Sequence, residues 1–210
     1  MDRKIINLAA GKPKVYEWKN RQVTSGIGKA NVDYLEVHRE RIAGDDVANH
    51  KAHGGPDRVV CFYPVEHYTY WESTFDKKIA MPAFGENVTA AGMTEAQVNI
   101  GDVFKIGEAV LQVTQGRVPC VTISNYNNQN QLLKQVIDTN LTGYFFRVLQ
   151  EGIINLDSEI RLLEKDSNGI TVEFATQILF HQKDDKESIE KILKVEALSE
   201  EWRNRFLKLV

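Results

Sequence analysis

The chain has 210 residues and a formal net charge of −3 at pH 7, enough for one sizeable domain or for one domain and a small appendage. That charge gives no electrostatic case for nucleic acid or an anionic membrane, and no apolar run approaches the roughly 18–20 residues of a membrane helix. The opening Met-Asp-Arg-Lys-Ile-Ile-Asn lacks the long apolar core of a secretory signal, and two cysteines, Cys61 and Cys120, make no disulfide framework. They fit a reducing cytosol, where a thiol is free, metal-bound or catalytic, so a cytoplasmic location is expected.

Residues 1 to about 165 are predicted to be strand-rich. Strands are expected at residues 5–8, 14–18, 32–37 and 59–63, the last an apolar run suited to burial on both faces. Pro64 stands where the first turn of a helix would begin, with helix-compatible spacing through Trp71. Residues 102–107 and 109–115 are short runs joined by Gly107-Glu108, the spacing of a tight hairpin. A helix is expected over residues 130–137, an aromatic β-prone run over 143–149, and a further strand over 159–163. Many short strands with glycine turns and few helices predict a mainly β, barrel-like domain over residues 1–165.

Beyond residue 165 the period changes. Thr171 resembles an N-cap, followed by Val172, Ala175, Ile178 and Leu179 at helical spacing. Asp184-Asp185-Lys186-Glu187 opens a second helix, and Ser199-Glu200-Glu201-Trp202 a third. Three short helices cannot stabilise themselves. Residues 166–210 are therefore expected to dock as a C-terminal extension on the main domain or on a partner subunit, and a homodimer is compatible with that.

Four segments carry residue types that packing explains poorly. In the first, His50, Lys51, His53 and Arg58 flank Gly54-Gly55; turn amides beside cations form an anion-binding concavity, although a plain polar turn has the same composition. Glu86-Asn87, after Gly85, offers acceptors and an amide donor suited to reading a heterocycle, or simply starts a strand. In Gln-Gly-Arg-Val-Pro-Cys (115–120), Arg117 would favour the thiolate of Cys120, and Pro119 stiffens the exit from the strand. A thiolate there suits a thiophilic metal, whereas a lone cysteine can also be a small buried hydrophobe. Tyr144 with Arg147 adds a cation, or only packing and a surface ion pair. Cys61, in an apolar run, and His67, among aromatics, are read as structural; convergence of His50 and His53 on a site is left open. Zinc signatures, the Gly-x-Ser-x-Gly elbow, the P-loop and the dinucleotide fingerprint are all missing from the sequence.

In order and spacing these segments resemble the MOSC domain, named from the carboxy-terminal part of molybdenum cofactor sulfurases, in its small stand-alone YiiM type. The resemblance runs from Gly11-Lys12-Pro13 through His53-Gly54-Gly55-Pro56-Asp57, residues 63–68 and Trp71, residues 84–89, Ile100-Gly101-Asp102 and residues 115–120. It continues through residues 144–149 to Leu198-Ser199-Glu200-Glu201-Trp202 and so covers nearly the whole chain. It implies a MOSC-type β-barrel with a few peripheral helices and a three-helix extension. It further implies that Cys120 ligates molybdenum held by the pterin dithiolene of the molybdenum cofactor (molybdopterin). The activity implied is reduction of N-hydroxylated small molecules such as 6-hydroxylaminopurine, with electrons from a separate reductase, since the chain has no flavin, haem or iron–sulfur motif. Under the same resemblance Lys51, His53, Gly54, Gly55 and Arg117 are candidates for the pterin phosphate and its surroundings, Arg147 for a further cation, and Glu86 and Asn87 for pterin or substrate contacts. Gly116 departs from the family's usual Gln-Pro-Arg, which is expected to loosen the loop and shift Arg117, and Leu156-Asp157-Ser158 replaces an acidic Gly-Asp turn. A cofactor or sulfur carrier using Cys120, and a non-catalytic dimeric interaction protein, are the alternatives.

Overall fold

The most apolar stretch of the chain forms the middle of its largest sheet. In the computed structural model, which describes residues 3–210 apart from the side chain of Ala52, all five residues of Val60–Pro64 are buried. Met1 and Asp2, part of the amino-terminal segment read for a signal, lie outside the described residues.

In chain order β1 (Lys4–Ala10) leads into the hairpin β2 (Lys14–Trp18) and β3 (Arg21–Ser25), then β4 (Ala30–Asn31) and β5 (Tyr34–Val37). A single helical turn α1 (His50–His53) and a 3-10 turn, Pro56–Arg58, precede β6 (Val60–Pro64), α2 (Glu66–Phe75) and β7 (Val88–Ala91). Next come β8 (Val103–Ile106), β9 (Ala109–Gly116), α3 (Thr122–Tyr126), α4 (Leu132–Thr139), β10 (Tyr144–Gln150), β11 (Gly152–Asn155) and β12 (Ile160–Glu164). The chain ends with α5 (Val172–His181), α6 (Lys186–Leu193) and α7 (Glu200–Leu207).

Eight strands pair in the order β12-β8-β9-β10-β6-β7-β1-β4 and curl into a half-barrel, with β5–β11 and β2–β3 as separate two-stranded ribbons. Among the described residues only β6 and β7 are parallel, and α2 lies in the crossover that such a pair requires. Gly107-Glu108 makes the two-residue β8–β9 turn with Gly107 at φ +59°, and Lys19-Asn20, at φ +53° and +60°, does the same for β2–β3.

The strands bury two clusters. Phe62, Phe104, Tyr144 and Phe146 anchor the larger, which continues without a break into Ile178, Ile192, Trp202 and Phe206 of the tail helices. Tyr63, Tyr68, Trp71 and Phe84 anchor the smaller, beneath α2, α3 and α4.

The tail therefore docks on the sheet. Its helices open with side-chain caps at Thr171, Asp185 and Ser199, which accept from the amides of Phe174, Ser188 and Trp202 at 3.0, 3.0 and 3.1 Å. Three further contacts seat α7. The register between β9 and β10 shifts at Phe145/Phe146, leaving Thr114 unpaired, and its carbonyl accepts the Ser199 N–H at 3.1 Å. Asp57 accepts the Glu200 N–H at 3.0 Å, and Arg147 bridges Asp57 at 2.8 Å to the Ala197 carbonyl at 2.9 Å. Gly116 makes the approach possible: a Cβ there would lie 2.6 Å from Thr176 Oγ1 and 2.8 Å from the Trp202 ring.

Some local expectations change. Gly116 is not a loosened loop but the last, paired residue of β9, opposite Tyr144. Pro64 closes β6, and the helix starts at Glu66. The segment read as a polar turn before Gly54 folds as α1, and α3 follows Cys120 where no helix was foreseen. We expect Trp202→Ala, which empties a fully buried indole site, to cost about 3–5 kcal/mol of stability, measured by chemical denaturation.

Candidate functional site

Strand pairing places Cys61 of β6 opposite Phe145 of β10, and Phe145 opposite Gln115 of β9. Directly paired residues share a face, so these three side chains form one row. All three line a cavity of about 410 Å³, a volume in the range of small-molecule sites. One wall is the 24–29 segment that leaves β3, and a second comes from residues 45–53. A third is the run from Arg117 to Thr122, and α7 closes the side with Glu201 and Arg205.

Asn87 fixes the junction of three of these pieces. Its Oδ1 accepts the Cys61 N–H at 3.0 Å, while its Nδ2 donates to the Ala9 carbonyl at 3.1 Å and to Asp45 at 3.0 Å. Asp45 in turn accepts the Gly11 N–H at 2.9 Å and pairs with Lys29 at 2.6 Å, with only 5% and 9% of the two side chains exposed. Both N–H groups of the Asn87 amide are thus used by the protein itself, and its oxygen accepts one bond.

Four cations, Lys29, Arg58, Arg117 and Arg205, line the cavity against two carboxylates, Asp45 and Glu201. The cavity therefore carries an excess of two positive charges in a chain of net charge −3. Glu201 joins Arg58 at 2.6 Å and Arg205 at 2.9 Å, and lies 3.4 Å from Gln115 Nε2. The Arg117 guanidinium has no hydrogen bond or ion pair among the described residues; only its N–H is held, by the Gly143 carbonyl at 2.9 Å. Gln115 Oε1 is buried without a partner. Its Nε2 faces two acceptors, the Gly116 carbonyl and Glu201, which fixes the oxygen at the other end of the amide.

Cys120 is half-buried on the cavity wall, and its carbonyl accepts from Ile123 as α3 begins. Cys61, at the floor, is buried, and burial pushes its thiol pKa above the ordinary value. His53 stands at the mouth, where loss of water and the nearby Arg117 and Arg58 cations lower its pKa from 6.5, against a smaller opposing effect of Glu201.

The structure therefore brings Cys120, Arg117, Asn87 and His53 together on one cavity and leaves the other candidates off its lining. Glu86 is turned inward. It accepts from the Tyr68 hydroxyl, from Phe84 N at 3.0 Å and from Thr89 Oγ1 at 3.1 Å, so its role is to tie the turn before β7. Its neighbour Gly85, at φ +75°, reaches the cavity instead. Arg147 is spent on Asp57 and the tail. Gly54 and Gly55 shape the turn that delivers Arg58, which donates to the Gly54 carbonyl, while Lys51 is exposed beyond the rim. His50 sits outside near Asp46, and His67 is buried against Glu95 at 2.6 Å. Sequence reasoning missed Lys29, Asp45, Cys61, Glu201 and Arg205 as lining residues, and singled out the 115–120 segment without assigning a role to Gln115. Strand register could have flagged Cys61, but no local motif marks the others.

Two outcomes follow from this geometry. Because the His53 pKa is lowered, an unfolded chain takes up that proton first as pH falls, so His53 is neutral in its effect above pH 6.5 and opposes folding below it. By NMR titration, His53 is expected to ionise below 6.5 and to move upward in Arg117→Gln. With a thiol reagent, Cys120 should react before Cys61, and Cys120→Ser should remove the fast phase.

The model of the MOSC domain family matches residues 49–161, and that of the YiiM-like, 3-alpha helix domain matches residues 170–210. YflK of Bacillus subtilis (strain 168) is 41% identical over 205 residues, covering 97% of this chain and 93% of that protein. The crystal structure of YiiM from Geobacillus stearothermophilus superposes with a TM-score of 0.85 at 34% identity, covering 99% and 98% of the two chains. A Gibberella moniliformis (strain M3125 / FGSC 7600) protein named Reductase is 34% identical over 149 residues, 69% of this chain but only 26% of that protein. The curled sheet, the cavity at its β6–β10–β9 row and the docked three-helix tail are thus those of a chain that belongs to the MOSC domain family, with the YiiM-like helical extension.

Proposed function

We propose that the cavity holds the molybdenum cofactor, with the Cys120 sulfur as the protein's ligand to molybdenum, and that the protein reduces N-hydroxylated compounds such as 6-hydroxylaminopurine to amines. The observation that carries this reading is the half-buried Cys120 thiol sharing one cationic cavity with the unpaired guanidinium of Arg117. The donor set fits the group. A soft sulfur suits molybdenum, excess positive charge suits a phosphate, and the orphaned Gln115 oxygen suits an N–H of a pterin or purine ring. Membership of a family associated with the molybdenum cofactor, and the name of the Gibberella moniliformis relative, support the same direction.

When bound, the cofactor supplies the redox chemistry, in which two electrons and two protons turn an N-hydroxyl group into an amine and water. The chain's own residues bind and orient. Arg117 neutralises the phosphate as a free fork of donors, while Lys29, already paired with Asp45, sets the background field. His53, whose pKa lies below 6.5, is neutral at pH 7 and offers a ring nitrogen at the mouth that can pass a proton. Glu201 and Arg205 bound the cavity on its tail side. Electrons come from a separate reductase.

In protein made in a host that synthesises the cofactor, Cys120→Ser is expected to lower molybdenum content at least about tenfold and to abolish turnover of 6-hydroxylaminopurine with an artificial electron donor. Cys61→Ala should retain both. Equal molybdenum and turnover in Cys120→Ser would remove the thiolate from the proposal. Molybdenum binding without any turnover would point to a carrier.

A further inference from the structure

Glu95 lies between β7 and β8, does not line the cavity, and is among the most enclosed carboxylates of the protein. Its side chain is 3% exposed, and that of its partner His67 is 5% exposed. Burying such a group is costly unless each oxygen is compensated. Here Oε2 meets His67 Nε2 at 2.6 Å, and Oε1 accepts the backbone N–H of Gly143 at 2.6 Å. The Glu95 carbonyl also accepts the Glu173 N–H at 3.0 Å, which ties its own loop to α5.

Gly143 is the residue just before β10 and has φ +71°. A Cβ there would lie 2.5 Å from the Phe62 carbonyl and 2.7 Å from the Tyr63 ring, so its peptide is pressed against β6. Its carbonyl accepts the Thr142 hydroxyl at 2.8 Å and the Arg117 N–H at 2.9 Å. That last bond is a main-chain tie placed where β9 has ended. Among the described residues no main-chain hydrogen bond then intervenes before the Cys120 carbonyl, which receives Ile123.

Hydrogen bonds therefore link His67 to Glu95 and Glu95 to the Gly143 N–H, and on the other side of the Gly143 Cα its carbonyl accepts from Arg117. We propose that Glu95 is a positioning residue: braced by His67, its carboxylate holds the N–H of the Thr142–Gly143 peptide, and through the φ +71° backbone of Gly143 this places the Gly143 carbonyl, which fixes where the Arg117 main chain, and with it the side chain, enters the cavity. Glu95 touches no ligand and acts only through Arg117. The inference rests on the reading of the cavity as an anion site for its functional consequence, but its geometry stands apart from that reading.

The test is a double-mutant cycle on the full-length chain, with inorganic phosphate as the probe. Glu95→Gln, which keeps the shape and removes the charge, should weaken phosphate binding roughly fivefold, and Arg117→Ala should weaken it further. In the Arg117→Ala background, Glu95→Gln should have almost no additional effect. The same loss in both backgrounds would mean that Glu95 acts through general stability, and no loss in the parent would mean that it does not act on Arg117. Both results overturn the proposal.

Amide hydrogen exchange provides a second measure independent of any anion. Glu95→Gln should speed exchange at the Arg117 N–H about tenfold and leave that of Val113, within β9, unchanged. Unchanged exchange at Arg117 would also overturn the proposal. Failure of the parent protein to bind phosphate, with Arg117 exchange altered as stated, would count against the anion-site reading alone. Should Glu95→Gln not fold, Glu95→Asp retracts the same charged group by one methylene and is expected to give the same pattern.

Discussion

Strand β10 pairs antiparallel on both sides, with Phe145 opposite Cys61 on one edge and opposite Gln115 on the other. The preceding row, Phe62, Tyr144 and Gly116, belongs to the opposite face, where the Phe62 and Tyr144 rings stack at 4.8 Å and Gly116 admits Trp202. A slip of β10 by one residue would turn its two faces over, taking Phe145 from the cavity floor into the core and bringing Tyr144 or Phe146 out of the core to the floor. The register of β10 therefore fixes at once what lies on the cavity floor and what holds the helices behind it, and the apolar stack on the hidden face resists the slip.

The polar walls follow a different rule. Most charges at the cavity are already matched: Lys29 with Asp45, and Arg58 and Arg205 with Glu201. Matched pairs in a partly dehydrated wall hold segments distant in sequence, and because two arginines share Glu201 the wall keeps its positive excess. Two groups escape the matching, the guanidinium of Arg117 and the carbonyl oxygen of Gln115. One donates and the other accepts, and both belong to the short stretch that ends β9 and leads to Cys120. Among the described residues these unmatched groups of the wall thus fall within six consecutive positions, 115–120.

Much of this is legible in the sequence. Alternation located β2 and β9, hairpin spacing joined β8 to β9, aromatic β-propensity marked β10, and the caps at Thr171 and Ser199 located their helices, because these signals are set by neighbours a few residues away. The 115–120 segment and His53 also stood out by residue type. Glu86 misled, since a carboxylate beside an asparagine has the same appearance whether it faces a ligand or closes a turn with Tyr68 and Thr89. Arg147 misled for a similar reason, as Asp57 lies 90 positions away in the sequence and claims it in the fold. Lys29 with Asp45, and Glu201 with Arg58, were invisible because such pairs depend on how loops and a distant helix come to rest.

The wall that α7 contributes ties two equilibria together. Glu201 and Arg205 reach the cavity only while the helix sits against Thr114, Asp57 and Gly116. Whatever occupies the cavity then favours the docked tail by the part of its binding free energy that α7 contributes, and a tail that lifts away takes that part with it. Filling the cavity and closing the carboxy-terminal helices are, thermodynamically, one event seen from two sides.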